Sequence, residues 1–174
     1  MASYRIRTTR GSIGIGILKT TDGGETWTKS LDWSHNQQRG IQKVLLNPKN
    51  HNSVWAGTTE GIFFSSDAGS TWNLNINLPY ILVNDLLIHS NDTNKMIASV
   101  GNFKTTGFGV YRTTDAGANW EKLSGVPDFS GKTLLGMYES NPDIIFASVS
   151  DSTTGVGQLM KSTNFGTTWT SLPT

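Results

Sequence analysis

Apolar residues come in short runs along this chain, never in long stripes. One set is Gly16-Ile17-Leu18-Lys19, Gly61-Ile62-Phe63-Phe64, Gly109-Val110-Tyr111-Arg112 and Gln158-Leu159-Met160-Lys161. A second is Ile41-Gln42-Lys43-Val44-Leu45-Leu46, Val83-Asn84-Asp85-Leu86-Leu87-Ile88 and Thr133-Leu134-Leu135-Gly136-Met137-Tyr138. A third is Val54-Trp55-Ala56-Gly57, Met96-Ile97-Ala98-Ser99 and Ile145-Phe146-Ala147-Ser148. Each run has the length of a strand, and none carries a 3.6-residue apolar period long enough for a helix. Polar turns rich in Asn, Asp, Ser and Pro separate the second set from the third, at 47–52, 90–95 and 139–143.

After each run of the first set comes the same short box, [ST]-x-[DN]-x-G-x-[TN]-W. The copies start at Thr20, Ser65, Thr113 and Ser162, giving steps of 45, 48 and 49 residues. Asp or Asn bonds nearby backbone N–H groups and Gly supplies positive φ, so each box reads as a hairpin turn. The box Trp opens a strand that leaves it. A period in this range marks a repeat. Each repeat has four antiparallel strands, A to D, with the box as the C–D turn. Such a sheet cannot bury both faces alone, and radial stacking turns it into a propeller blade.

The expected fold is all-β, a β-propeller segment of about four blades within a single unit, 1–174. Blade 1 is partial (4–33), starting at a strand-B match, Tyr4 to Thr9. Blades 2, 3 and 4 span 41–76, 83–124 and 133–172. The absent first strand leaves three readings: a piece of a longer propeller, a second copy completing an eight-bladed ring, or a four-bladed ring with an imperfect seam. Open edges invite pairing.

The boxes resemble the Asp-box, or bacterial-neuraminidase repeat, family, and the resemblance covers almost the whole chain. Box four departs from the pattern with Asn164 for Asp and with Phe165 before the Gly, which implies a slightly weaker turn. The stretch from Leu46-Asn47-Pro48 through Trp55-Ala56-Gly57 to Gly61-Ile62-Phe63 resembles sortilin-type propellers and those of xyloglucan-cleaving glycoside hydrolases. The first resemblance implies a protein or peptide ligand, the second a polysaccharide. Together they imply an extracellular or cell-surface setting.

Composition removes several function classes. Lys plus Arg is 14 and Asp plus Glu is 13, so no basic patch for nucleic acid is expected. Cysteine is absent, which excludes disulfides and thiolate chemistry. The first residues lack the apolar core of a signal peptide. No run has the length of a membrane span, so membrane insertion is not expected. His35, His51 and His89 are scattered, so neither a metal nor a cofactor is expected.

Topology puts the A–B and C–D turns on one face and the D–A and B–C loops on the other. By fold analogy, ligands bind the second face. The box residues Asp22, Asp67, Asp115 and Asn164 are then turn locks, and Trp27, Trp72, Trp120 and Trp169 pack between blades. Trp55 aligns with Ile97 and Phe146 and reads as core. Trp33, in the first D–A loop, is the aromatic without a repeat counterpart. Trp33, Tyr80 and Phe129 are the ligand-binding candidates, with Phe103 and Phe108 on the same face, because aromatic rings stack on sugars.

Glycoside hydrolysis needs two carboxyl groups set across the scissile bond. Asp32, Asp128 and Asp151 lie on the loop face, and Asp85 on strand A is placed to reach the channel. Asp32 and Asp128 are the weak catalytic candidates. The xyloglucan-cleaving family places an essential Asp in its first blade, whereas the matching stretch here, Arg7 to Ser12, has no carboxylate. Tyr4-Arg5-Ile6-Arg7 resembles a sialidase Arg motif, yet Arg5, Arg7, Arg10, Arg39 and Arg112 do not assemble that family's triad. The expected function is therefore non-catalytic binding of a glycan or protein through the D–A and B–C loops. A glycoside hydrolase fragment, xyloglucanase-like or sialidase-like, is the alternative. The expected partners are such a ligand and the remaining blades of a longer chain, or a second copy.

Overall fold

The computed structural model describes residues 14–36, 39–101, 105–127, 133–150 and 155–173. Arg5, Arg7, Arg10, Phe103, Asp128, Phe129 and Asp151, and the strand expected at 4–9, lie outside these residues. The described chain is all-β and forms part of a β-propeller.

Blade 1 contributes β1 (Gly16–Lys19) and β2 (Thr28–Asp32), an antiparallel pair. Blade 2 is β3 (Ile41–Asn47), β4 (Asn50–Thr58), β5 (Gly61–Ser65) and β6 (Asn73–Leu74). Blade 3 is β7 (Val83–Ile88), β8 (Met96–Val100), β9 (Gly109–Thr113) and β10 (Glu121–Lys122). Blade 4 is β11 (Leu134–Met137), β12 (Ile145–Ser150), β13 (Gly157–Ser162) and β14 (Thr170–Ser171). In the last three, hydrogen-bonded neighbours follow sequence order, as in a meander.

The cores lie between blades, and strand alternation explains how. In blade 3, Leu86, Ile88, Met96, Ala98 and Val100 face blade 2 and join Trp55 and Ile62. Leu87 and Ile97 face the other way and join Leu135, Ile145, Ala147 and Met160 of blade 4. Both faces of blade 3 are covered, so β7 and β8 are buried along their whole length. Strands buried on both faces read as continuous apolar runs. Gly57 lets β4 approach β7: a Cβ there would sit 2.9 Å from Val83 Cγ1.

Two polar residues interrupt β7, and both are satisfied. Asn84 donates its amide to the Gly101 carbonyl at 2.5 Å. Asp85, 6% exposed, accepts from the Leu86 N–H at 2.9 Å and from the Leu135 N–H of blade 4 at 3.0 Å. Lys43 Nζ of blade 2 lies 3.4 Å from the same carboxylate. Asp85 thus ties the inner strands of three consecutive blades.

Candidate functional site

The box explains its own consensus. In box two, Asp67 Oδ1 accepts from the Thr71 N–H at 2.8 Å and from Ser65 Oγ at 2.8 Å, while Oδ2 accepts from Thr71 Oγ1 at 2.7 Å. Ser65 Oγ in turn accepts from the Gly69 N–H at 2.7 Å. Box three repeats the pattern through Asp115, Asn119, Thr113 and Gly117, and box one through Asp22, Thr26, Thr20 and Gly24. The residue before the box Gly and the Gly itself both have positive φ, as at Ala116 (55°) and Gly117 (83°). Box four keeps the full set with an amide. Asn164 Oδ1 accepts from the Thr168 N–H at 2.9 Å, and its Nδ2 donates to Thr168 Oγ1 at 2.9 Å. The Thr hydroxyl has simply changed from donor to acceptor.

These bonds hold the box carboxylates ionised. The Thr71 N–H and hydroxyl, then Ser65, lower Asp67 from 3.8 to about 2. Asp22 and Asp115 are lowered by the equivalent donors, led by the Thr26 and Asn119 side chains. A depressed folded value means that the stabilisation is full above the unfolded value near 4 and is lost as pH falls through about 2. Asp67→Asn is therefore expected to fold and to flatten the acid limb of Tm against pH between about 4 and 2. An unchanged limb in thermal melts across that range would count against the turn-lock reading.

Boxes two, three and four each dock on the blade before them. Trp72 Nε1 donates to Ser30 Oγ of blade 1 at 2.9 Å, and that hydroxyl donates to the Gly69 carbonyl. Asn75 Nδ2 of blade 2 donates to the Gly117 carbonyl of box three at 3.0 Å. Arg112 of blade 3 donates to the Phe165 carbonyl at 3.1 Å and to Thr167 Oγ1 at 2.7 Å, while Glu121 accepts from its Nε at 2.8 Å. Phe165 and Trp169 are buried against Ile97 and Leu123. Phe165 therefore fills the junction that Trp55 of the preceding blade fills at box three, where a Gly117 Cβ would lie 3.0 Å from the Trp55 ring. Trp27 departs from the expected blade packing: it is 57% exposed, and its indole donates to its own Gly24 carbonyl at 3.0 Å.

The loop face places the remaining candidates as follows. Trp33 is 3% exposed, with Phe63 edge-on at 5.5 Å and the Arg39 guanidinium 5.6 Å from its ring centroid. Its ring is packed, and its position is repeated after all: six residues after the first three box Trp residues come Trp33, Leu78 and Val126, all of them in packed positions. Counting forward from the boxes would have found this. Tyr80 is half-buried, its ring 5.4 Å from Tyr111 and packed over Gly107. Burial and the neighbouring Tyr80 push Tyr111 up to about 12, and its hydroxyl donates to the Gly107 carbonyl at 2.8 Å.

Asp32 is committed locally. It accepts from the Ser34 N–H at 2.9 Å and from the Ser34 hydroxyl, with Lys29 Nζ at 3.4 Å. The Ser34 hydroxyl, then its N–H, then Lys29 lower it to about 2, so it carries no proton to donate near neutral pH. Glu60 on the same face sits 3.9 Å from Arg39. Arg39 and Arg112, the described members of the arginine set, both have partners within the fold.

Sequence reasoning passed over a cleft of about 450 Å³ on the box face, between blades 2 and 3. Trp55 and Phe64, centroids 4.4 Å apart, line it. Asn47, Asn73, Asn75, Asn77 and Asn94 surround them, and no charged side chain is among the lining residues. Leu74 (46% exposed) and Ile76 (76% exposed) form an apolar lip. The run Asn73-Leu74-Asn75-Ile76-Asn77 was the signal available in the sequence.

Comparison with known proteins agrees with this fold. The GH74 xyloglucanase structure from Xanthomonas campestris superposes with a TM-score of 0.74 at 19% identity, covering 91% of this chain and 27% of that one. The GH74 enzyme from Niastella koreensis gives 0.71 at 21%, covering 90% and 26%. In sequence, a probable oligoxyloglucan-reducing end-specific xyloglucanase of Neosartorya fischeri is 31% identical over 90 residues, 49% of this chain and 11% of that protein. An uncharacterized membrane glycoprotein of Saccharomyces cerevisiae is 31% identical over 99 residues, 54% of this chain and 8% of that protein. The chain thus spans about a tenth of the length of these curated relatives. Residues 16–126 match the profile of the Sortilin-Vps10 family, described as sortilin, neurotensin receptor 3. With well over half of its length inside that match, the chain belongs to the Sortilin-Vps10 family.

Proposed function

We propose that this chain is a non-catalytic, ligand-binding part of a β-propeller in a secreted or cell-surface protein, and that its ligand is a glycan held in the cleft between blades 2 and 3. The cleft carries this reading. Its aromatic floor, ring of asparagine amides and lack of charge suit a neutral, hydroxyl-rich molecule with apolar faces. Amides both donate and accept, as sugar hydroxyls require. Kinship with xyloglucanases supports a polysaccharide, and a membrane glycoprotein among the relatives supports the extracellular setting. The commitment of Asp32 to Ser34 and Lys29 supports a non-catalytic role.

Calorimetric titration with xyloglucan oligosaccharides and β-glucans tests the cleft. Asn73 is exposed, so Asn73→Ala should leave folding intact and weaken binding about three- to tenfold, the worth of one hydrogen bond. Full affinity in an Asn73→Ala, Asn77→Ala double variant sinks the cleft. Release of reducing sugar that disappears in Asp32→Asn would instead favour the hydrolase fragment. A second reading keeps the ligand on the D–A and B–C loops and makes it a protein. It is favoured by the mixed charges of Lys29, Asp32, Arg39 and Glu60 on that face and by the family's receptor member. Under it, loop-face variants such as Tyr80→Ala weaken binding to a protein partner and Asn73→Ala does not.

A further inference from the structure

The turn between β7 and β8 carries a side chain with no structural duty. In the matching turn of blade 2, Asn47 caps the chain: its Oδ1 accepts from the Lys49 N–H at 2.9 Å and from the Asn50 N–H at 3.2 Å. Leu46 pairs with Val54 and Ile88 with Met96, so His89 holds the Asn47 place in blade 3. Its Nδ1 accepts from the Asn91 N–H at 3.2 Å and from the Asp92 N–H at 3.0 Å. Asp92 closes the rest of the turn, accepting from the Asn94 N–H at 3.3 Å with Lys95 Nζ 3.7 Å away. An asparagine in such a turn ordinarily bonds the backbone just ahead of it. Here a histidine and an aspartate do so, and Asn91 is left over.

The backbone of Asn91 is nevertheless fixed. Its carbonyl accepts from Lys49 Nζ of blade 2 at 2.7 Å. Its side chain is exposed, and among the described residues its amide makes no hydrogen bond. Thr93 is half-buried, and among the same residues its hydroxyl makes none. Other asparagines on this side of the blades are committed: Asn75 to the Gly117 carbonyl, Asn119 to Asp115 and Asn164 to Thr168. Asn91-Asp92-Thr93 is also the one place in the chain where Ser or Thr stands two residues after an asparagine with no proline between. That tripeptide is the acceptor of N-linked oligosaccharide and needs an exposed turn.

We infer that Asn91 carries an N-linked oligosaccharide, an inference that rests on the extracellular setting proposed above. The donor is an oligosaccharide joined to a lipid through a diphosphate. The Asn91 amide nitrogen attacks the anomeric carbon of its first sugar. A C–N bond forms as the C–O bond to the diphosphate breaks, the lipid diphosphate leaves with the electron pair, and the amide gives up one proton. Thr93 and Asn94 line the cleft between blades 2 and 3, so the first sugar stands at the rim of that cleft. The hydrated chain keeps broad protein surfaces off the box face at this point.

Peptide mass spectrometry on the native protein, purified from its own source, tests this. Cleavage after lysine releases residues 50–95 as one peptide. It is expected to carry an oligosaccharide. Peptide N-glycosidase in heavy-oxygen water should remove the sugar and label the side chain at Asn91. Asn91→Gln should abolish the modification, Thr93→Ser should keep it, and Thr93→Val, which holds the shape without the hydroxyl, should abolish it. A protein recovered from outside the cell with Asn91 unmodified overturns the site and leaves the extracellular reading standing. A protein confined to the cytosol overturns both. Sugar that survives in Asn91→Gln or Thr93→Val also sinks the assignment, because it is then attached elsewhere or by another chemistry.

Discussion

Phe165→Ala is expected to destabilise the protein by about 3–5 kcal/mol, the range for truncating a buried aromatic residue. The side chain is 3% exposed and packs among Ile97, Leu123 and Trp169 at the junction of blades 3 and 4. Its backbone sits at φ 49°, a region a bulky residue adopts only when its surroundings compensate. Alanine is held in the same conformation at 68 and 116, so the truncation adds no new backbone strain. The loss is therefore a packing loss, measurable by urea unfolding with the slope unchanged. The comparison with box three makes a sharper statement. Ile97→Phe alone should cost about 1–3 kcal/mol through overpacking. Added to Phe165→Ala, it should recover part of the stability, because it restores the arrangement of Trp55 opposite Ala116. Strictly additive losses would show that the two side chains do not share one space.

The second large effect is expected at Asp85. Asp85→Ala removes the acceptor for two buried N–H groups, those of Leu86 and Leu135, at about 1–3 kcal/mol each. It also leaves Lys43 of blade 2 without its carboxylate. Asp85→Asn keeps one oxygen and should lose about half as much, since only one of the two N–H groups is then orphaned. Hydrogen exchange locates the effect: the Leu135 amide in β11 should lose protection before the amides within β8. Equal losses of stability in the two variants would mean that the carboxylate's second oxygen does nothing.

These residues show how the sequence was readable in some places and opaque in others. Strands, blades and boxes were legible because local rules govern them. A Ser or Thr two residues before an Asp, and a Thr or Asn four residues after it, close one hydrogen-bonded ring whatever the rest of the chain does. Phe165 looked like a departure within the turn because its function lies in the neighbouring blade, 68 residues from Ile97 (165 minus 97). Asp85 looked like a channel residue because strand alternation gives a face but not a partner. Trp33 looked unrepeated because equivalent positions can hold Trp, Leu or Val. A core position conserves burial more than residue type. The cleft escaped because two of its walls belong to different blades, although its asparagines alternate along a single segment.

The alternation of large and small residues at the junctions has a consequence for assembly. Four similar repeats on one chain offer many wrong neighbours, and misdocking of like repeats is a characteristic failure of such proteins. Box three, with its alanine, leaves a hollow that only a strand as bulky as Trp55 fills, whereas box four brings its own bulk and would collide with that Trp. The boxes of blades 3 and 4 therefore tell their predecessors apart by size. The order of blades 2, 3 and 4 is written into two pairs of side chains, Trp55 with Ala116 and Ile97 with Phe165, and exchanging the two boxes would not fit.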